Sequence, residues 1–116
     1  MHIHIFTLFP EMFKGPFDQS IVSRAKTKGL IKISLHNIRD YADDSHNTVD
    51  DYPYGGGPGM VMKPEPVFKA VEEILGIPLP IFPIVLLTPQ GKKFHHAEAD
   101  RLSKEQEIAL ICGHYQ

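Results

Sequence analysis

IFPIVLLT, residues 81–88, is short and almost continuously apolar, which is the pattern of a strand buried on both faces of a sheet. EIALIC, residues 107–112, shows the same pattern. Residues 90–93 between them predict a turn, and residues 95–104 predict a modest helix. A strand, a helix and a strand in this order predict parallel pairing, and we expect residues 81–88 to form a central strand.

The N-terminal third predicts two more strands joined by a helix. Residues 1–9 begin by alternating histidine with isoleucine and then turn wholly apolar, as a strand entering a sheet does. Ser20 is suited to cap a helix, and Gly29 would end it, because glycine followed by leucine is typical of a Schellman motif. Residues 31–36 alternate apolar and polar side chains, which indicates a strand with one wet face at an outer position of the sheet.

A second helix follows a long polar and glycine-rich connection. Residues 40–59 have neither a helical nor a strand period, and a connection of this length is typically functional or disordered. Pro66 fits the first position of a helix whose apolar face carries Phe68, Val71 and Leu75. The order of elements predicts a single α/β domain over the whole chain, with a mostly parallel sheet flanked by helices.

Composition excludes several classes of protein. The 116 residues are 42% hydrophobic and 22% charged, which is ordinary for a globular domain and unlike a disordered chain. The chain has no apolar run near the length of a membrane span and no basic leader, so we expect a cytoplasmic protein without a membrane partner. Cys112 stands alone, which excludes an internal disulfide and suggests a small buried residue. The net charge of −2 does not by itself indicate a nucleic-acid partner.

The segment YGGGPG, residues 54–59, concentrates four glycines in a polar stretch. Its spacing and flanks fit neither a Walker loop nor a dinucleotide fingerprint. A flexible turn or hairpin is one interpretation. The other is a ligand site, because Asp50 and Asp51 with two nearby tyrosines could hold amino groups and stack on a flat ring beside an open backbone.

Four motifs together resemble one family. TVDDYPYGGGPGM (48–60), FTLFPEMF (6–13), LLTPQG (86–91) and CGHY (112–115) are similar to the bacterial tRNA (guanine-N1) methyltransferases of the SPOUT superfamily. The resemblance implies an α/β domain tied in a trefoil knot, of which this chain would hold only the first part. It also implies a homodimer that transfers a methyl group from S-adenosylmethionine to N1 of the guanosine 3′-adjacent to the tRNA anticodon, which prevents frameshifting.

The resemblance also implies which residues contact the cofactor. They follow the two buried strands and comprise Leu87, Thr88, Pro89, Gly113, Tyr115 and Gln116. Ligands of open α/β sheets bind outside the carboxyl ends of the strands, which agrees with these positions. Taken singly, Gly113 and Pro89 could be plain turn residues and Tyr115 a core aromatic. Gln116 departs from the family, which has a glutamate there, so its amide keeps the shape of that side chain but loses the charge.

The remaining implied contacts are to guanine, to tRNA phosphates or to a second subunit. They comprise Asp50, Tyr54, Gly55, Gly56, Gly57, Gly59, Arg24 and His46. An Asx turn or cap at Asp50 and a capping or surface role at Arg24 and His46 are the structural alternatives. The family's general base is an aspartate well downstream, so we expect no catalytic residue in this chain. The family is also described as magnesium-dependent, but we expect no metal site here, because no ligand cluster stands out in the sequence.

Two other interpretations of function remain open at this point. One is a truncated, non-catalytic binding or dimerisation module with the same fold. The other is a different nucleotide-binding α/β domain, which the order of elements alone would also allow.

Overall fold

The computed structural model describes residues 1–42, 50–51, 61–62, 64–88 and 91–112. Four helices and six strands lie in these ranges, with short 3₁₀ helices at Pro10–Phe13 and Ile38–Tyr41. The helices are α1 (Lys14–Phe17), α2 (Ser20–Thr27), α3 (Pro64–Leu75) and α4 (His96–Ser103). The strands are β1 (His2–Thr7), β2 (Lys32–Asn37), β3 (Asp50–Asp51), β4 (Val61–Met62), β5 (Ile84–Leu87) and β6 (Glu107–Cys112).

A parallel sheet with the strand order β2-β1-β6-β5 is the centre of the fold. This arrangement confirms the predicted α/β class with a parallel sheet, and it confirms the outer position of β2. The prediction that β5 is a central strand is wrong for the described sheet, because β5 lies at its edge. Leu86 and Leu87 are 59% and 42% exposed, although their apolar character resembles that of the inner strand β6. An apolar run indicates that a strand favours burial, but it does not show which other segment of the chain packs against that strand.

The hydrophobic core lies where α3 packs on one face of the sheet. Its buried members come from β1, α3, β6 and the adjoining turns, and they are Phe6, Leu8, Ile38, Ala70, Val71 and Ala109. The helix begins at Pro64, two residues before the predicted start. The predicted apolar face is also partly wrong, since Phe68 is 65% exposed. The side of α3 that meets the core instead carries the buried Ala70 and Val71, with Val67 and Leu75 partly buried beside them.

The turn from α2 into β2 confirms the predicted Schellman motif. Gly29 has a φ of 74°, and its N–H donates to the carbonyl of Lys26. The N–H of Leu30 donates to the carbonyl of Ala25, which completes the motif. The predicted cap at Ser20 is wrong, because α2 already includes this residue and its N-cap is Gln19. The sequence also did not predict α1 or either 3₁₀ helix, since these short elements lack a periodic signal.

A two-stranded antiparallel hairpin, β3 with β4, flanks the glycine-rich segment. Asp50 pairs with Met62 and Asp51 pairs with Val61. The hairpin interpretation of this region is therefore confirmed for the strands that flank the glycine-rich segment. The expectation of an irregular connection over residues 40–59 is wrong where the 3₁₀ helix Ile38–Tyr41 overlaps it and at β3. The described helices include none that is long and apolar enough to span a membrane.

Candidate functional site

The carboxyl ends of β5 and β6 lie side by side. The two strands pair in parallel, with Leu87 opposite Cys112. Adjacent strands are about 4.8 Å apart, so Leu87 and Cys112 are close neighbours in the sheet. Leu87 and Thr88 belong to one predicted cofactor segment, and Cys112 directly precedes the other in sequence. Parallel pairing therefore brings the start of the first segment close to the residue that precedes the second.

A groove of about 630 Å³ opens beside the end of β5. It is bounded by β5, by the connection into α4 and by α4 itself, and its lining includes Leu87, Thr88, Gly91, Phe94, Glu98 and Arg101. Lys92 and Lys93 also line it, so its charged groups are three cations and one carboxylate. The groove thus combines exposed apolar surface with a net positive charge, which suits a flat apolar ring carrying anionic groups.

A tight turn forms one wall of this groove. The N–H of Gly91 donates to the carbonyl oxygen of Thr88 over 3.1 Å. A Cβ atom on Gly91 would lie 3.4 Å from both the carbonyl oxygen and Cγ2 of Thr88, so the turn packs closely around this residue. On the opposite wall, Glu98 accepts a hydrogen bond from the backbone N–H of His95 over 3.2 Å, which stabilises the start of α4. The groove is therefore held in shape at both walls.

Only part of the predicted site falls within the described residues. Leu87 and Thr88 lie in the groove, and their role as cofactor contacts stays a prediction. Arg24 is exposed in the last turn of α2 and does not line the groove. Asp50 opens β3, and its side chain is not described. The other predicted residues lie outside the described ranges, and they are His46, Tyr54, Gly55, Gly56, Gly57, Gly59, Pro89, Gly113, Tyr115 and Gln116.

Cys112 is buried at the end of β6, as the sequence predicted. Burial raises the pKa of its thiol. A buried thiol with a raised pKa holds little thiolate at neutral pH and is therefore a poor nucleophile and a poor metal ligand.

A second cluster of chemically active side chains lies at the amino ends of β1 and β6. Nε2 of His4 is 2.6 Å from Oε2 of Glu107, and Nδ1 of His2 is 3.7 Å from the same oxygen. The second ring nitrogens are also engaged, because Nε2 of His2 is 2.7 Å from the Ser34 hydroxyl and Nδ1 of His4 is 3.1 Å from Nε2 of His36. We call His2, His4 and Glu107 the histidine cluster.

The imidazoles of this region are packed closely. The ring centroids of His2 and His4 are 4.0 Å apart, and those of His4 and His36 are 5.4 Å apart. Burial lowers the pKa of His2, and the nearby His4 and Lys32 lower it further against the opposing effect of Glu107. Burial also lowers the pKa of His36, with His4 and His2 acting in the same direction. Both shifts favour neutral imidazoles at neutral pH.

This cluster was not among the residues singled out from the sequence, where no metal site was predicted. His4 and Glu107 are 103 residues apart, so no local motif joins them. The alternation of residues 1–5 did place His2 and His4 on one face of a strand. The register that sets Glu107 opposite His2 is a property of the folded sheet.

Comparison with known proteins identifies the family. A model of a family described as tRNA (guanine-1)-methyltransferase TrmD matches residues 1–116. The chain belongs to the TrmD family. Curated members of the family include tRNA (guanine-N(1)-)-methyltransferases from Dictyoglomus turgidum, 53% identical over 100% of this chain and 46% of the relative, and from Bacillus subtilis, 48% identical over 100% of this chain and 48% of the relative.

A solved member of the TrmD family has the same fold. The crystal structure of the tRNA (m1G37) methyltransferase from Aquifex aeolicus superposes with a TM-score of 0.85 at 32% identity, covering 100% of this chain and 52% of that chain. The agreement confirms the predicted SPOUT-type methyltransferase fold. The chain spans about half the length of the curated TrmD relatives that it matches.

Proposed function

We propose that this chain is the first half of an enzyme that transfers a methyl group from S-adenosylmethionine to N1 of the guanosine 3′-adjacent to the tRNA anticodon. The observation that carries the proposal is the family match over residues 1–116. The pairing of Leu87 with Cys112 supports it, because the resemblance assigns to the cofactor the residues from Leu87 onward and those that follow Cys112. The reaction would take place in the cytoplasm, where tRNA is used.

The groove at the end of β5 fits the adenine ring and the carboxylate of S-adenosylmethionine. This cofactor supplies an electrophilic methyl group on a sulfonium centre. The exposed side chain of Leu87 offers an apolar surface for the adenine ring, and the turn from Thr88 to Gly91 brings backbone groups close to it. The cations Lys92, Lys93 and Arg101 suit the cofactor's carboxylate. The remaining proposed contacts are Pro89, Gly113, Tyr115 and Gln116.

The tRNA side of the site would use the region around the β3–β4 hairpin. We assign Asp50, Tyr54, Gly55, Gly56, Gly57 and Gly59 to the target guanine or to the second subunit of a homodimer. Arg24 and His46 would contact tRNA phosphates, and the exposure of Arg24 is compatible with that role. Because N1 of guanine carries a proton that must leave, the reaction needs a general base, and we place it downstream of Gln116.

Magnesium does not fit the described residues. Mg²⁺ prefers oxygen ligands in octahedral geometry, whereas the histidine cluster, which is the group of candidate ligands among the described residues, offers two imidazole nitrogens. Any magnesium requirement of the reaction would therefore be met elsewhere than at this cluster.

The decisive experiment uses the full reading frame. We expect the frame to continue beyond Gln116, and the full-length product to methylate a tRNA transcript with guanosine 3′ of the anticodon but not the same transcript with adenosine there. Equal methyl transfer to both transcripts, or to neither, would contradict the proposal. A stop codon directly after Gln116 in the native gene would favour a non-catalytic module instead.

A second experiment addresses the isolated chain. We expect the 116 residues alone to be inactive and only marginally stable, because the exposed edge strand β5 pairs with β6 alone among the described strands. Titration calorimetry with S-adenosylmethionine and with ATP then tests the class of ligand. Tighter binding of ATP would favour a different nucleotide-binding domain, and efficient methyl transfer by the chain alone would overturn the expectation.

A further inference from the structure

We propose that the histidine cluster is a binding site for a divalent transition-metal ion of the zinc class, with Nδ1 of His2, Nε2 of His4 and an oxygen of Glu107 as ligands. The three ligand atoms all lie within 4.8 Å of one another. The proposal is independent of methyl transfer, because the cluster lies at the opposite end of the sheet from the groove. Glu107 and Cys112 begin and end the same strand, which places the two ends about 16 Å apart at about 3.3 Å per residue.

The sheet itself orients the ligands. His2 and His4 are alternate residues of β1, so both project from the same face. Parallel pairing places Glu107 of β6 opposite His2, and residues in register share a face. Because β1 and β6 are hydrogen-bonded neighbours, their pairing places all three ligands close together on one face of the sheet. Sites built on strands are better preorganised than sites built on loops.

In each histidine, the outer nitrogen, which is the ring nitrogen that would not bind the metal, already has a hydrogen-bond partner, as metal sites require. Metal-bound histidines almost always use the second ring nitrogen in a hydrogen bond, which sets the tautomer and the ring orientation. Nε2 of His2 lies 2.7 Å from the Ser34 hydroxyl, and Nδ1 of His4 lies 3.1 Å from Nε2 of His36. Without an ion, a proton lies in the 2.6 Å hydrogen bond between Nε2 of His4 and Glu107. With an ion bound, both histidines would donate through these outer atoms and direct the lone pair of the other ring nitrogen at the metal.

The ligand atoms, which lie within 4.8 Å of one another, must rearrange to accept an ion. Tetrahedral zinc bonds of about 2.0 Å place ligand atoms about 3.3 Å apart. The 2.6 Å contact between His4 and Glu107 would have to lengthen by about 0.7 Å. The Glu107 side chain is 39% exposed and can move, whereas His4 is buried at 6% exposure and defines the position. Binding would thus replace the hydrogen bond between these two side chains and release its proton.

The chemistry of the ligands selects the class of ion. Imidazole nitrogens suit Zn²⁺ and neighbouring transition metals, while carboxylates and water suit Mg²⁺. Two histidines and one glutamate leave a fourth position open, and the partial exposure of His2 and Glu107 lets water reach it. Lys32 lies opposite His2 in the register but is exposed, so solvent screens its charge. The bound ion would cross-link β1 to β6.

The test is titration calorimetry of Zn²⁺ into the untagged protein at neutral pH, because a histidine tag would itself bind zinc. We expect one saturable equivalent with a dissociation constant in the micromolar range or below, and a higher melting temperature when zinc is present. Excess Mg²⁺ should not displace the ion, and Co²⁺ should bind with a visible absorption band. The absence of a saturable equivalent, or displacement by Mg²⁺, would overturn the proposal.

Substitutions in the histidine cluster distinguish zinc binding at this site from binding at other histidines. Glu107→Gln keeps the size of a partly exposed side chain and should weaken zinc binding at least about tenfold, and His2→Ala should do the same. Ser34→Ala removes an outer hydrogen bond and should weaken binding about tenfold. The control is His96→Ala at an exposed position on α4, which should bind zinc like the unmodified protein. Unchanged affinity in both Glu107→Gln and His2→Ala would place the ion elsewhere and refute the assignment.

Metal-free melting curves guard against misfolded variants. His4→Ala opens a gap at a buried position, so its loss of binding would not by itself distinguish a ligand from a structural residue. Glu107→Gln keeps an acceptor for His4 and Ser34→Ala removes one partly exposed hydroxyl, so both should fold and melt cooperatively without zinc, at a slightly lower temperature than the unmodified protein. If these variants melt cooperatively yet lose the zinc-dependent rise in melting temperature, the cluster holds the ion. If they keep the full rise, it does not.

Discussion

The two ends of the parallel sheet differ in the side chains that they present. At the carboxyl end, Leu87 and Thr88 border a groove with exposed apolar surface and a cationic rim. At the amino end, His2, His4 and Glu107 form a compact polar cluster whose hydrogen bonds are satisfied. The same strands, β1 and β6, run from one end to the other.

This difference follows from how each end is assembled. The described candidate residues at the carboxyl end, Leu87 and Thr88, are neighbours in sequence, and the groove beside them is formed by a turn and exposed apolar surface. The amino end depends on strand register, because its ligands come from opposite ends of the sequence. The two proposed sites would therefore lie at opposite ends of one sheet, with the apolar core between them.

The largest expected effect comes from the core between the two ends. Phe6 is fully buried, so Phe6→Ala should lower the free energy of unfolding by about 3–5 kcal/mol, through lost burial and the cavity that remains. Urea denaturation measures this change, which would disturb both ends together. The matched control is Phe68→Ala at an exposed position of α3, which should change stability by less than about 0.5 kcal/mol. Equal losses in both variants would show that α3 packs through a different face.

A crossed pair of variants tests whether the two ends are independent. Leu87→Ala removes apolar surface in the groove and should weaken S-adenosylmethionine binding about tenfold, or about 1.4 kcal/mol, without altering zinc binding. Glu107→Gln should weaken zinc binding without altering the affinity for S-adenosylmethionine. Calorimetry with each ligand on each variant gives all four values. If either substitution changed the affinities for both ligands to a similar extent, the two ends would be energetically coupled. That result would contradict the expectation that they are independent.

A smaller effect is expected at the turn that positions the amino end. Gly29 has a φ of 74°, and the next residue, Leu30, accepts a hydrogen bond from the terminal amine of Met1. A Cβ atom at Gly29 would meet nothing within 4 Å, so Gly29→Ala should cost about 1 kcal/mol from backbone strain alone. Thermal unfolding measures it. Gly15→Ala in α1 is the control and should be neutral or slightly stabilising. A stable Gly29→Ala variant would argue against a strained turn.

The smallest effect is expected at the start of α4, beside the groove. Glu98→Ala removes the acceptor for the backbone N–H of His95 and should destabilise the protein by about 0.5–1 kcal/mol. Urea denaturation of this variant is compared with that of Glu72→Ala, whose side chain is exposed on α3 and which should stay within about 0.5 kcal/mol of the unmodified protein. Similar losses in the two variants would mean that the hydrogen bond at His95 contributes little.

Much of the fold could be predicted because its signals are local. The bounds of β6 and the Schellman turn at Gly29 follow from residue types within a few positions of one another. The predicted cap at Ser20 was wrong because several polar residues near the start of a helix can occupy its N-cap position. In α2 the N-cap is Gln19, the last residue with an extended backbone before the helix. Motifs that are contiguous in sequence also pointed to the family, and the family match bears this out.

Sequence by itself determined the order of the four sheet strands and of the three longer helices, the apolar character of β5 and β6 and membership of the TrmD family, because each depends on neighbouring residues. Only the tertiary structure decided that β5 lies at the edge of the described sheet, that Phe68 faces away from the core and that Glu107 meets two histidines. These outcomes depend on which distant segments pair and in which register. That choice is made by the packing of the whole domain, and no single segment of the sequence encodes it.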